Sequence, residues 1–213
     1  ITVTGKGKYS GSITLPFSIQ ATRLNDLYDA GLIKTTMQTS WEYTGNAIKP
    51  TPVIVYNGKT LKKGTDYTLS YYNNKNEGEG FVRVNGINNY CGEYDISFKI
   101  TKNSIAGCTL SVKTAKYTYN GKERKPKVVV KNTSGTTLKE NTDYTLAYKN
   151  NVKEGVATVV VSGKGNYKGS KTATFKIVPV TPTVSKITAK SKSKVNVEYK
   201  SSKIGKISGY EVQ

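Results

Sequence analysis

Histidine is absent from the 213 residues, which removes Ser-His-Asp and Cys-His catalysis and the commonest metal ligand. The two cysteines, Cys91 and Cys108, are too few soft ligands for a zinc site. Acidic residues are scarce: 14 Asp plus Glu against 33 Lys plus Arg leave a formal net charge of +19. Enzyme chemistry would rest on a handful of carboxylates, so the expectation is a non-catalytic chain with no metal and no cofactor. No run approaches the roughly 20 apolar residues that a helix needs to cross a bilayer, and membrane insertion is not expected. Met and Trp occur once each, and helix formers never gather into long amphipathic runs.

Tyr, Thr, Val, Ser, Gly and Asn fill the space. Tyr, Thr and Val suit a pleated, half-buried surface, while Gly and Asn suit turns. The composition reads as all-β. The chain opens at Ile1 with neither Met nor a leader and closes at Gln213 inside an apolar/polar alternation, so it reads as a piece of a longer polypeptide.

An internal repeat organises it. YTGNAIKP at 43–50 returns as YNGKERKP at 119–126, and LKKGTDYTLSYYNN at 61–74 as LKENTDYTLAYKNN at 138–151. GFVRVNGINNYCGEYDISFKI at 80–100 returns as ATVVVSGKGNYKGSKTATFKI at 157–177. The start, ITVTGKGKYSGSITLPFSI at 1–19, carries only this last piece. The offset is 76 in the first block and 77 in the other two. The alignment places one deletion just after Lys-Pro and two insertions in the turn where VYNGKTL is answered by VKNTSGTTL. In that register Cys108 takes the place of Leu32. The expected division is 1–20, the end of a first repeat; 21–101, a second; 102–179, a third; and 180–213, a different segment. Stretches near 20–30 and 101–107 read as junctions.

Within a repeat the apolar period is two. Val53, Ile54 and Val55, with Val128, Val129 and Val130, suggest strands buried on both faces. Tyr67, Leu69 and Tyr71 form one apolar face, and Val82 and Val84 followed by Ile96, Phe98 and Ile100 continue the pattern. Asn57-Gly58, Asn73-Asn74, Asn85-Gly86 and Gly165-Asn166 can each supply positive φ at a turn. LYDAGL at 27–32 predicts a single helical turn. The fold class expected is all-β: tandem small β-sandwich, Ig-like repeats, with a β-grasp-like topology as the alternative.

These motifs resemble a repeat of large surface and secreted proteins of Gram-positive gut bacteria. Its pattern falls here on Tyr43 and Tyr119, Pro50 and Pro126, Asp66-Tyr67 and Asp143-Tyr144. It continues at Asn73-Asn74 and Asn150-Asn151, Tyr90 and Tyr167, and Gly92 and Gly169, with Tyr9 and Gly11 in the partial copy. Asn88 and Cys91 depart from Gly165 and Lys168, which implies a modified turn, and Trp41 stands where the third repeat has Tyr117. From residue 181, TPTVSKITAKSKSKVNVEY and then SGYEVQ resemble the first strands of a fibronectin type III domain, with Tyr199 in the slot usually held by Trp. The resemblance implies an extracellular setting, secreted or attached to the cell wall, in adhesins, wall proteins or linkers beside enzymes.

Candidate sites are few. Asp66 and Asp143 suit turn closure through backbone N–H groups, with Tyr67 and Tyr144 packing behind them. Trp41, near a junction, is the candidate ligand contact, since an exposed indole stacks on sugars. Cys91 and Cys108 are the candidate disulfide, a bond an oxidising compartment would permit, though the register, with Cys91 in a turn, favours two free thiols. The lysines are spread evenly, with few Arg and no interleaved aromatics, which fits a merely soluble surface or attraction to anionic cell-wall polymers or host glycans, and not nucleic acid; neighbouring domains of the same polypeptide are the other expected partners. The function expected is a structural stalk or interaction segment. The alternatives are a carbohydrate- or host-glycan-binding module, or an accessory region of a larger secreted enzyme.

Overall fold

The structure, a computed structural model, describes residues 1–181, 183–191 and 194–200. The chain forms two compact units, Ile1–Thr101 and Lys102–Gln213. Regular structure among the described residues is strand throughout, apart from the helix Leu24–Asp29 and the 3-10 turn Ile105–Gly107. The class is all-β.

The first unit opens with a hairpin, Thr2–Thr4 against Ser12–Thr14. A complete repeat follows. Ile33–Thr36, Val53–Tyr56 and Lys59–Thr60 make a three-stranded antiparallel sheet. Ser40–Glu42, Glu93–Thr101, Gly78–Gly86 and Tyr67–Tyr72 make a four-stranded sheet in that spatial order, with the first pair parallel. Ile33, Ile54 and Leu61 from one sheet pack with Tyr67, Val84 and Tyr94 from the other, so the two sheets face each other across a shared core. Among the described residues no helix is inserted between these sheet strands; Leu24–Asp29 precedes them. The helix starts three residues earlier than LYDAGL implies and stops at Gly31, φ 68°.

The second unit repeats the arrangement. Thr109–Val112 pairs with Val128–Lys131, and Lys116–Thr118, Ser170–Val178, Gly155–Gly163 and Tyr144–Lys149 form the four-stranded sheet, again with a parallel first pair. Ala157, Phe175 and Ile177 are at its core. A further hairpin, Thr183–Ser191 with Lys194–Lys200, follows. The backbone of Tyr199 pairs with Val184 there, whereas SGYEVQ at 208–213 lies outside the described residues.

Several expectations are corrected by the packing. Val53 is exposed beside a fully buried Ile54, so this strand buries one face only; its outer side has no sheet to cover it. Pro52 and Val128 each accept a tyrosine hydroxyl, and Ile54 and Val130 each accept an amide from the following turn. The offset of 76 therefore runs on past Lys-Pro, and the change in length is a single extra residue in the turn before Leu138. Strand pairing then sets Cys108 in the place of buried Ile33, not of exposed Leu32. The segments read as junctions are built into the repeats, because Leu24 and Ile105 are both fully buried plugs.

Asn85-Gly86 is the end of a strand, not a turn. A Cβ at Gly86 would lie 2.8 Å from the Cys91 backbone, and Gly163 and Gly5 meet the same crowding from Lys168 and Tyr9. Glycine is needed there for close approach. The turn that follows has φ 58° at both Asn88 and Gly165. The departure at Asn88 thus changes the side chain and not the backbone: its amide donates to the Thr65 carbonyl oxygen over 2.8 Å. A Cβ at Gly165 would lie 2.9 Å from the matching Thr142 oxygen.

Candidate functional site

The residues that define the repeat are engaged in holding backbone. The Lys62 amide donates to Asp66 Oδ2 over 2.8 Å, and the Asp66 amide donates back to the Lys62 carbonyl over 2.8 Å. Asp143 makes the same two bonds with Lys139, each 2.8 Å. This is the Asx-type closure that frees neighbouring amides from solvent. The following residues, Tyr67 and Tyr144, are buried, and burial raises both phenol pKa values above the ordinary tyrosine range.

The Tyr-x-Asn-Asn motif clamps the Lys-Pro segment. Tyr71 donates to the Pro50 carbonyl over 2.9 Å and Tyr148 to that of Pro126 over 2.7 Å. Asn74 Nδ2 donates to the Ile48 carbonyl while the Ile48 amide donates to the Asn74 carbonyl, at 2.8 and 2.7 Å. Asn151 and Arg124 exchange the same pair at 3.0 and 2.8 Å. Segments without regular pairing of their own thereby find partners for their polar backbone groups.

Trp41 is half-buried on Ser40–Glu42, its ring edge-to-face with Phe98 at 5.1 Å and 80°. Tyr117 meets Phe175 in the same way at 5.8 Å and 74°. The indole occupies an aromatic core-edge position common to both repeats, and not an open platform.

Cys91 and Cys108 are each held in its own unit as a free thiol. Cys91 is half-buried and points its thiol at the Ala21 carbonyl over 3.5 Å. Cys108 is buried, its thiol 3.9 Å from the Ser104 carbonyl. Burial pushes the Cys108 thiol pKa up, against a smaller opposing pull from Lys171. The Lys171 ammonium donates to the carbonyls of Ala106 and Cys108 over 3.0 and 2.6 Å.

Two arrangements went unread in the sequence. On the outward face of the four-stranded sheet, Arg83 grips Asp95 with Nε and Nη2 at 2.9 and 3.0 Å and reaches Glu93 with Nη1 at 2.9 Å. Tyr72 donates to Asp95, stacks on Phe81 at 4.8 Å and carries the Arg83 guanidinium 5.4 Å from its ring centroid. The Arg83 pairing holds the Asp95 carboxyl below the usual carboxylate range. The third repeat has Val160 and Thr172 at these positions, so the cluster belongs to the second alone. Its signal was legible only with the hairpin register that sets Arg83 directly opposite Asp95.

The second is a cleft of about 250 Å³ lined by Tyr28, Ile33, Thr35, Met37, Thr39, Ile96 and Ser97. Tyr28, on the added helix, stacks on Tyr94 at 4.3 Å and 18°. The Tyr94 hydroxyl and Thr35 Oγ1 are buried, and neither completes a hydrogen bond of good geometry. Burial pushes the Tyr94 phenol up to about 12. An aromatic face bordered by hydroxyls has the chemistry to hold a sugar ring. In the third repeat, which has no such helix, Lys171 stands in the place of Tyr94.

Among the described residues, no three His, Cys, Asp or Glu side chains gather into a metal site, and no helix is long and apolar enough to cross a membrane. No protein-family model, curated protein or solved structure matches the chain.

Proposed function

We propose that this chain is a non-catalytic structural stalk, or interaction segment, of a bacterial cell-surface or secreted protein, built from tandem Ig-like repeats and the first hairpin of a fibronectin type III-like domain. The observation that carries this reading is the parallel pairing at both ends of each repeat. The second repeat enters at Thr22–Arg23, parallel to Tyr90–Cys91, and its Ser40–Glu42 strand lies parallel to the exit at Lys99–Thr101. Entry and exit therefore sit at opposite ends of the 90–101 segment, which breaks at Gly92, φ 76°, and of which the strand Glu93–Thr101 alone spans roughly 26 Å at about 3.3 Å per residue. The third repeat does the same with Asn103–Ser104 on Tyr167–Lys168 and Lys116–Thr118 on Lys176–Val178. A repeat with this path advances the chain rather than returning it. Tension between the two ends loads the terminal-strand hydrogen bonds in shear, all at once. The motif resemblance supplies the extracellular, Gram-positive setting of the proposal.

Single-molecule extension tests it. The expected record has two abrupt steps of similar length, each roughly 25 nm, the extended length of one repeat at about 3.3–3.6 Å per residue. Smooth extension without steps would refute the mechanical reading.

A second reading, a glycan-binding module, is favoured by the Tyr28 cleft. It predicts that soluble pyranosides shift the resonances of Tyr28, Thr35 and Met37 and that Tyr28→Ala removes the shifts. No shift at millimolar sugar would dismiss it.

A further inference from the structure

The outward faces of the two four-stranded sheets share one backbone plan and carry opposite charge. On the second repeat's face, strand alternation sets Glu42, Glu79, Glu93 and Asp95 beside Arg83 and Lys99, so acids are in excess. That is a concentration of acid in a chain with only 14 Asp plus Glu among 213 residues. On the third repeat's face the charged strand residues are Lys116, Lys149 and Lys176, and none of the described strand residues there is acidic.

The difference lies in what surrounds one lysine. Lys99 is flanked in register by Glu79 on one side and Ser40 on the other. Its counterpart, Lys176, is flanked by Val156 and Lys116. Lys149 stands beside Thr158 where the second repeat has Tyr72 beside Phe81. All three lysines are exposed. Like charges on neighbouring strands oppose sheet pairing, and no described carboxylate on this face offsets them. The rest of the basic face is built from short side chains, among them Thr145, Thr172, Thr174 and Val160. The acidic face instead bears the stacked rings of Tyr72 and Phe81.

We infer that the acidic face of the second repeat docks on the basic face of the third repeat in a second copy of this chain. Acid against acid and lysine against lysine repel, so the unlike pairing is the one the charges favour. A free polyanion would neutralise the lysines and leave the acidic face without a counterpart; a second copy answers both. The two surfaces differ, so the contact is heterologous. The inference goes beyond the stalk reading and does not depend on it, because it assigns a contact between chains. Four strands about 4.8 Å apart, the central ones roughly 30 Å long, give each face on the order of 500 Å². Stable complexes bury about 800 Å² per partner, so a single contact is weak and matters where chains are crowded.

The test uses the full chain at about 0.1 M salt, where charges more than about 10 Å apart are largely screened. Sedimentation equilibrium up to millimolar protein should show reversible self-association of the natural chain. Glu42→Lys with Glu79→Lys turns the acidic face basic, and Lys116→Glu with Lys176→Glu turns the basic face acidic. All four positions are exposed and lie outside the Arg83 cluster. Each variant alone should associate at least about tenfold more weakly than the natural chain. An equal mixture of the two should recover the natural strength to within about threefold, since every face then meets one of opposite charge. Recovery also shows that both variants are folded. No association of the natural chain, or undiminished association of either variant alone, overturns the inference. So does association that follows net charge, strongest in the Lys116→Glu, Lys176→Glu chain by itself and no stronger in the mixture.

Discussion

The hydroxyl of Tyr71 donates to the carbonyl oxygen of Pro50 across 2.9 Å, tying a strand of the four-stranded sheet to a segment that has no strand partner of its own. Tyr148 and Pro126 repeat the bond at 2.7 Å. Removing the oxygen alone leaves a carbonyl with reduced satisfaction. Tyr71→Phe and Tyr148→Phe should each cost about 1–2 kcal/mol, read as a lower denaturation midpoint at unchanged slope. A shift below a tenth of that size would show that the clamp contributes nothing.

Asp66 and Asp143 act through acceptance from a main-chain amide, each 2.8 Å from its partner. Asp66→Asn retains an acceptor oxygen and should be the milder change. Asp66→Ala leaves the Lys62 amide unmatched and should cost about 1–3 kcal/mol. Equal losses in the two variants would assign the effect to charge and not to turn closure. Urea unfolding of both proteins, side by side, separates the cases.

Asp95 titrates below its ordinary value of 3.8 because of Arg83 and the Tyr72 hydroxyl. Its pairing stabilises the second repeat above that value and is lost as pH falls through the lower, folded value. The difference in stability between the natural chain and Asp95→Asn should therefore be constant from pH 7 to about 5 and shrink toward zero in stronger acid. At the other extreme, burial raises the phenols of Tyr67, Tyr71, Tyr94, Tyr144 and Tyr148. Unfolded phenols ionise first, so stability should decline as pH rises past 10. A series of thermal melts across pH checks both limbs.

The two thiols should differ in reactivity. Cys91 is half-buried, while Cys108 is 2% exposed with its pKa raised by burial. Native labelling near neutral pH should modify Cys91 first, and Cys108 only on a timescale set by opening of its repeat. Reductant should leave the melting temperature unchanged. A drop on reduction would instead reveal a bond between them.

The all-β class was legible because period-two alternation and turn residues agree across three copies; Tyr67, Leu69 and Tyr71 point as their spacing predicts. The register at Cys108 was not, since a one-residue shift of a short strand leaves the letters almost as well aligned while exchanging its inner and outer faces. Asn85-Gly86 misled for another reason: glycine there clears an approaching backbone, which resembles a turn signal in one dimension. The Arg83–Asp95 pair and the Tyr28 cleft depend on cross-strand partners, and no local motif encodes them. Trp41 stood out for its place near a junction, but its partner Phe98 lies on the neighbouring strand, and that packing is what places the indole.

On the proposed reading, the repeat's defining residues hold the fold and leave the chain to act as a stalk. Binding of the purified chain to panels of cell-wall polymers and mucin-type glycans, at low and at near-physiological salt, tests it most directly. A stalk should show no saturable binding that survives the higher salt, with any low-salt signal following the +19 net charge and fading as ions screen it. Saturable, salt-resistant binding that Tyr28→Ala or Trp41→Ala abolishes would contradict it and make the chain a glycan-recognition module.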